Sequence, residues 1–211
     1  MHILIPCKNL DVGKSRLSGC LSSVKRRKFC ERLLTQTLER AVALTAPANI
    51  RLVTADPEAA AMARQYSVEA LADAGGGLNA ALNDARSGII AVESVSELLI
   101  LPIDLPLATP DAVSQFLLYG GDIVIAPDEA GTGTNLLLLR APALKAFRFA
   151  YGPGSFAAHA AWAQTGGLRL EAVPDRRLAF DVDGPAQYSA WQSLQRRSHG
   201  AAQIAFTEAN I

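Results

Sequence analysis

Two carboxylates one residue apart, Asp181 and Asp183, end an apolar run in "RLAFDVDGPAQYSAW". Along an extended segment side chains alternate, so both would leave the same face. Like charges so placed repel unless a cation sits between them. A third carboxylate, Asp104, interrupts "LLILPIDLPLATPD", where Pro102 and Pro106 stiffen the loop and leave few backbone donors. A charge at the end of so apolar a run needs a partner or a metal. The plainer alternative is an aspartate that caps a turn. Together the three would supply hard oxygen donors, which suits Mg²⁺ that keeps waters and takes further oxygens from phosphates.

Cations stand elsewhere. "PCKNLDVGKSRL" puts Lys8, Lys14 and Arg16 in one stretch with Gly13. Its Gly-Lys-Ser is not a P-loop, because that motif needs glycine five positions before the Gly-Lys pair and Lys8 stands there. Three cations after a strand could neutralise a triphosphate, or form a solvated basic loop. "GGGLNAALNDA" leads Gly75, Gly76 and Gly77 into a helical pattern, a place for a base or ribose against bare backbone, or a flexible turn. Thr132, Thr134 and Asn135 in "GTGTNLLLLR", and Gly152, Gly154 and Ser155 in "AYGPGSFAAHA", offer hydroxyls and a helix start for a small phosphate, or two ordinary turns. Ser155 and His159 lack the strand–elbow–helix context of a hydrolase nucleophile. His2, His159 and His199 have no metal-ligand spacing, and Trp162 and Trp191 read as core residues.

The elements that must position these residues alternate. "HILIPC", "NIRLVTAD", "VEAL" and "SELLILP" read as strands, as do "DIVIAP" and "TNLLLLR". Helical patterns run from Ser23 to Leu44, from Pro57, after the glycines, from Thr109-Pro110, from Ser155, and over "PAQYSAWQSLQRR". The first has an apolar stripe of Val24, Phe29, Leu33, Leu34, Leu38 and Val42. "LRLEAVPDRRLAFDVDG" reads as two short strands. Alternation over two-thirds of the chain predicts a three-layer α/β domain with a mostly parallel sheet. Ligands of such sheets sit at the strands' carboxyl ends, which here means the loops after Pro6, Thr54, Leu71, Ile103 and Phe180. Residues 1–195 are read as one domain and 196–211 as a tail.

Composition sets the outer bounds. Half of the 211 residues are hydrophobic, enough for a sizeable core. Lys plus Arg (20) equals Asp plus Glu (20), so no global field favours nucleic acid. Cys7, Cys20 and Cys30 show no C-x-x-C spacing, which predicts small buried thiols in a reducing, cytoplasmic setting. No run approaches ~18 apolar residues, and the first is too short for a signal peptide, so no membrane span is expected.

"AFDVDG" also resembles the nucleophile motif of haloacid-dehalogenase-type phosphatases. There the motif opens the domain, whereas only 28 residues follow Asp183. A different resemblance covers nearly the whole chain. "ILIPCKNLDVGKSRL", "GGGLNAAL", "LILPIDLPL", "GTGTNLL", "YGPGSF" and "FDVDGP", in that order, resemble the 2-phospho-L-lactate guanylyltransferase family of coenzyme F420 biosynthesis. Cys7 departs from the aliphatic residue expected there.

The resemblance implies a glycosyltransferase-A-like, Rossmann-like nucleotidyltransferase fold with a mixed, mostly parallel sheet. It implies GTP as donor, Mg²⁺ as metal, and 2-phospho-L-lactate, phosphoenolpyruvate or 3-phosphoglycerate as acceptor. By motif position, Asp104, Asp181 and Asp183 match the metal site, with Lys14, Arg16 and Asp104 in catalysis. Pro6, Lys8, Lys14, Arg16, Gly77, Asn79 and Pro102 match the nucleotide side. Thr134, Asn135, Gly152 and Ser155 match the acceptor side. The reading leaves room for a homodimer and for hand-off of product to the next pathway enzyme. Two rivals stand beside it. One is a nucleotide-sugar glycosyltransferase, whose D-x-D usually lies mid-domain where "PIDLP" lacks it. The other is a non-catalytic GTP-binding protein, which has no need of three carboxylates.

Overall fold

A computed structural model describes residues 1–208, with side chains through residue 197. Among them, strands β1 (His2–Pro6), β2 (Ile50–Thr54), β3 (Glu69–Ala72), β4 (Glu97–Ile100), β5 (Ile123–Pro127), β6 (Thr134–Arg140) and β7 (Leu170–Ala172) form one sheet. Helices are α1 (Ser23–Leu44), α2 (Pro57–Gln65), α3 (Leu78–Val92), α4 (Pro110–Leu117), α5 (Ala143–Ala146), α6 (Ser155–Thr165), α7 (Arg176–Ala179) and α8 (Pro185–Glu208). The strand order is β3-β2-β1-β4-β6-β5-β7. β6 alone runs antiparallel to its neighbours β4 and β5, and the other pairings are parallel.

The central strands read as unbroken apolar runs because both faces of the sheet are covered. Ile3 and Ile5 of β1, with Leu136 and Leu138 of β6, pack under α1, α2 and α4. Leu4, Leu137 and Leu139 face α3, α5 and α6. A third cluster joins Leu17, Phe29 and Leu33 to Phe180, Val182 and Trp191.

The reversed β6 positions the site. Its Leu137 pairs with Ile100 and its Arg140 with Glu97. Its first residue, Thr134, therefore lies at the edge where β4 delivers Asp104. Arg140 lies at the far edge, bound to Glu97 and to the carbonyls of Leu117, Tyr119 and Gly121.

The second strand expected in "LRLEAVPDRRLAFDVDG" is absent. Asp175 accepts from the backbone N–H of Arg177 and caps a helical turn, α7, instead. The chain then runs without a ladder partner, yet it still alternates: Phe180 and Val182 are buried, and Asp181 and Asp183 are half-buried. Helix α8 passes residue 196, so the expected tail is helical to Glu208, and residues 209–211 lie outside the described ones. Val24 and Cys20 are exposed, against expectation, while Cys7 and Cys30 are buried. Among the described residues no helix is long and apolar enough to cross a membrane.

Candidate active site

The loop after β1 is held from beneath. Asp56, which caps α2, accepts from the backbone N–H groups of Glu58 and Ala59 and also from Leu10 at 2.8 Å. Burial alone would raise the Asp56 carboxyl, but these N–H groups outweigh it and hold it below the usual carboxylate range. Gly13 has no room for a side chain, since a Cβ there would lie 3.0 Å from Cys30 Sγ and 3.4 Å from the Asn9 carbonyl. Lys14 follows in a left-handed conformation (φ 50°), unusual for a residue other than glycine. It opens the 3₁₀ turn Ser15–Gly19.

This bend turns the Lys14 side chain inward. Its Nζ lies 2.7 Å from Asp183 Oδ1 and 3.0 Å from Asp104 Oδ2. Burial alone would lower the ammonium, but the charges of Asp104 and Asp183 and their hydrogen bonds outweigh it and keep Lys14 protonated. Burial likewise raises Asp183, and Lys14, Arg16 and Lys8 outweigh it, so its carboxyl stays below the ordinary range. Arg16 reaches Asp183 at 3.5 Å from a side chain that is 76% exposed. Lys8 is exposed beside it. The two acidic segments are also tied through the backbone, the Val182 N–H donating to the Asp104 carbonyl at 3.0 Å. Pro6 ends β1 and Pro102 follows β4, joined by the Leu101 N–H to the Leu4 carbonyl.

For Asp181 the relief from a backbone N–H and from Lys14 is outweighed. Burial, then the charges of Asp104 and Asp183, push its carboxyl up to about 6. Among the described residues no group of three His, Cys, Asp or Glu side chains is arranged as a metal cage. The Lys14 ammonium lies between Asp104 and Asp183. The donor chemistry still fits a hard divalent ion. Mg²⁺ needs only one or two carboxylates when phosphates complete its shell, and Lys14 offsets the Asp181 charge less than burial and the other two aspartates oppose it.

The glycine loop and the loop before α6 are clipped together. Gly77 (φ 84°) caps α3. Asn79 Nδ2 donates to the Tyr151 carbonyl at 3.0 Å, and Asn79 Oδ1 accepts from the Tyr151 N–H at 2.8 Å. Asn79 thus ties the loop before α6 to the start of α3. Gly152 (φ 139°) and Gly154 (φ 73°) shape the next turn, where the Ser155 N–H donates to the Gly152 carbonyl. Ser155 is the first residue of α6, next to Gly154 at the cap.

Thr134 and Asn135 part company, because neighbours on a strand face opposite ways. Thr134 Oγ1 meets His159 Nδ1 at 3.0 Å. Asn135 Nδ2 donates to the carbonyls of Leu178 and Ala179, both at 2.9 Å. Asn135 is therefore a strut that fixes the approach to Asp181.

Asp56, Tyr151 and His159 were not picked out by sequence reasoning. For Asp56 the signal was present: Asp-Pro at a helix start is a cap pattern. For the other two there was none, since the Asn79–Tyr151 and Thr134–His159 contacts join residues 72 and 25 positions apart. Tyr151 buries a hydroxyl that has no hydrogen-bond partner among the described residues. Burial, then the Asp104 charge, raises that phenol.

A seven-stranded mixed sheet with acids and a lysine at its carboxyl edge defines an α/β nucleotidyltransferase. Solved structures share the fold. A CMP:2-keto-3-deoxy-manno-octonic acid synthetase complexed with CTP aligns with a TM-score of 0.60, at 15% identity, over 93% of this chain and 98% of its own. A cytidylyltransferase from Leptospira borgpetersenii aligns with a TM-score of 0.55, at 14% identity, over 89% and 82%. Residues 1–189 match the family described as guanylyl transferase CofC like, and the chain belongs to that family. Phosphoenolpyruvate guanylyltransferase from Chloroflexus aggregans is 38% identical over 200 residues, 92% of this chain and 98% of the relative. The enzyme of the same name from Rubrobacter xylanophilus is 38% identical over 86% and 88%. The protein is a nucleotidyltransferase of the guanylyltransferase type.

Proposed function

We propose that the protein transfers GMP from GTP to the phosphate of a small phosphorylated carboxylic acid, and that it serves coenzyme F420 biosynthesis. Phosphoenolpyruvate is the first choice of acceptor, on the names of the relatives; 2-phospho-L-lactate and 3-phosphoglycerate are the alternatives. The observation that carries the reading is Lys14, locked between Asp104 and Asp183 at the carboxyl edge of the sheet.

An acceptor phosphate oxygen attacks the α-phosphorus of GTP, the bond from that phosphorus to the bridging oxygen breaks, and pyrophosphate leaves with the electron pair. A phosphate monoester with a second pKa of about 6 is largely dianionic at neutral pH, so no base has to remove a proton. The site agrees: both ring nitrogens of His159 are engaged in hydrogen bonds. What remains is charge and alignment. Lys14 brings a fixed positive charge to the reacting phosphates, with Arg16 and Lys8 on the open side for the departing pyrophosphate. Thr134, Gly152 and Ser155 face the acceptor, and the turn at Gly77 faces the nucleoside. Asp104, Asp181 and Asp183 would hold Mg²⁺, which supplies neutralisation of phosphate charge.

The test is to incubate the protein with GTP, Mg²⁺ and each acid separately, then identify products by mass. A guanylylated acid with stoichiometric pyrophosphate is expected, fastest with phosphoenolpyruvate. Pyrophosphate from none of the three would overturn the reading.

A further inference from the structure

His159 is fully buried on α6, packed against the rings of Phe147 and Tyr151. Its Nε2 lies 2.9 Å from the backbone nitrogen of Ala150. An amide N–H can only donate, so Nε2 accepts and carries no proton. The proton of the neutral ring is then on Nδ1. Nδ1–H faces Thr134 Oγ1 at 3.0 Å, and it must donate there. The Thr134 oxygen spends a lone pair on the ring, and its own hydroxyl proton is left to point elsewhere. Burial, which lowers the imidazole to about 4, keeps this neutral arrangement at working pH.

We propose that His159 is a positioning residue that fixes the Thr134 hydroxyl as a hydrogen-bond donor toward the anionic acceptor. The proposal rests on the reading above that Thr134 faces the acceptor. A dianionic phosphate and a carboxylate can only accept, so a hydroxyl is useful to them only when its proton is aimed at them. A free threonine hydroxyl rotates; the ring removes that freedom before the substrate arrives. The same ring holds the Ala150 N–H, and the chain passes from there through Tyr151 to Gly152 and Ser155. One buried side chain therefore sets both the hydroxyl and the entry to the loop.

The first measurement is ¹⁵N NMR of the His159 ring in the whole unmodified chain at neutral pH. The Nδ1–H tautomer is expected, and the Nε2–H tautomer would overturn the proposal without any variant having to fold. The second is steady-state kinetics with phosphoenolpyruvate and GTP varied in turn. Thr134→Val should raise the acceptor KM about tenfold with the GTP KM unchanged, the scale of one hydrogen bond to a charged group. Thr134→Ser should restore it. His159→Gln should raise the acceptor KM by a similar factor, and the Thr134→Val, His159→Gln double variant should be no worse than Thr134→Val alone. Additive losses, or equal loss for GTP, would reduce His159 to a core brace while leaving the role of Thr134 standing. An unchanged acceptor KM in Thr134→Val would remove both the proposal and the acceptor role of Thr134. Guanylylated product in that same assay would still uphold the overall reaction.

Discussion

Asp181 and Asp183, one residue apart, end up in opposite electrostatic situations, and substitution should separate them. Asp183 is paired with buried Lys14, whereas Asp181 is repelled by its neighbours. Asp181→Asn should abolish turnover yet leave the melting temperature unchanged or raised, because a repulsion is removed. Asp183→Asn should abolish turnover and also cost about 1 kcal/mol, roughly 2–4 °C, because Lys14 loses a partner. Melting curves beside pyrophosphate assays check both, and near wild-type activity in either variant contradicts the assignment. His159 predicts a pH effect of definite sign. Its folded value of about 4 lies below the ordinary 6.5. Between these values the unfolded chain holds a proton that the native chain does not, so stability falls as pH drops through that window. Denaturant titrations from pH 7 to 4 should show this loss, reduced in His159→Gln. At this scale the sequence was partly legible. Charge within an apolar run singled out Asp104 and the D-x-D pair, but the neighbour of each was a matter of contact across the fold. Lys14 was placed beside phosphate on its charge, and nothing local shows that a left-handed bend turns it onto Asp104.

Among the elements, strand and helix existence was readable because both faces of the sheet are buried and because Ser22, Asp56 and Thr109 each cap a helix with a side chain. The segment before Asp181 was misread as a strand throughout, although "RRLA" consists of good helix formers and Asp175 supplies their cap. Asn135 and Asn79, read as ligand residues, also join elements, because their amides satisfy main-chain groups. The Asn79 clip ties the start of α3 to the loop before α6, so the two substrate sides are not independent. Asn79→Asp puts a carboxylate oxygen against the Tyr151 carbonyl in place of a donor. It should raise the KM for GTP and for the acid together, by several-fold each, on the roughly 1–3 kcal/mol cost of an unsatisfied buried group. Kinetics with each substrate varied in turn checks this, and a rise confined to GTP would instead make Asn79 a nucleotide contact.

For the whole molecule, a mostly parallel sheet was legible from alternation of elements, while the reversal of β6 was not, because direction leaves no mark in a symmetric run such as "LLLL". Removal of divalent ions with EDTA should stop turnover, and added Mg²⁺ should restore it; turnover in EDTA would sink the metal role of the carboxylates. The pairing of Lys14 with Asp183 also has a consequence for how the chain comes together. These residues are 169 positions apart, so closing them is among the entropically costliest contacts in the fold. During synthesis Lys14 leaves the ribosome long before Asp183 and waits for it. Trp191 packs against Phe29, in the cluster that Leu17, Phe180 and Val182 also form. Its emission should therefore report the late closure. During refolding, guanylyl transfer should return together with that tryptophan signal and never ahead of it.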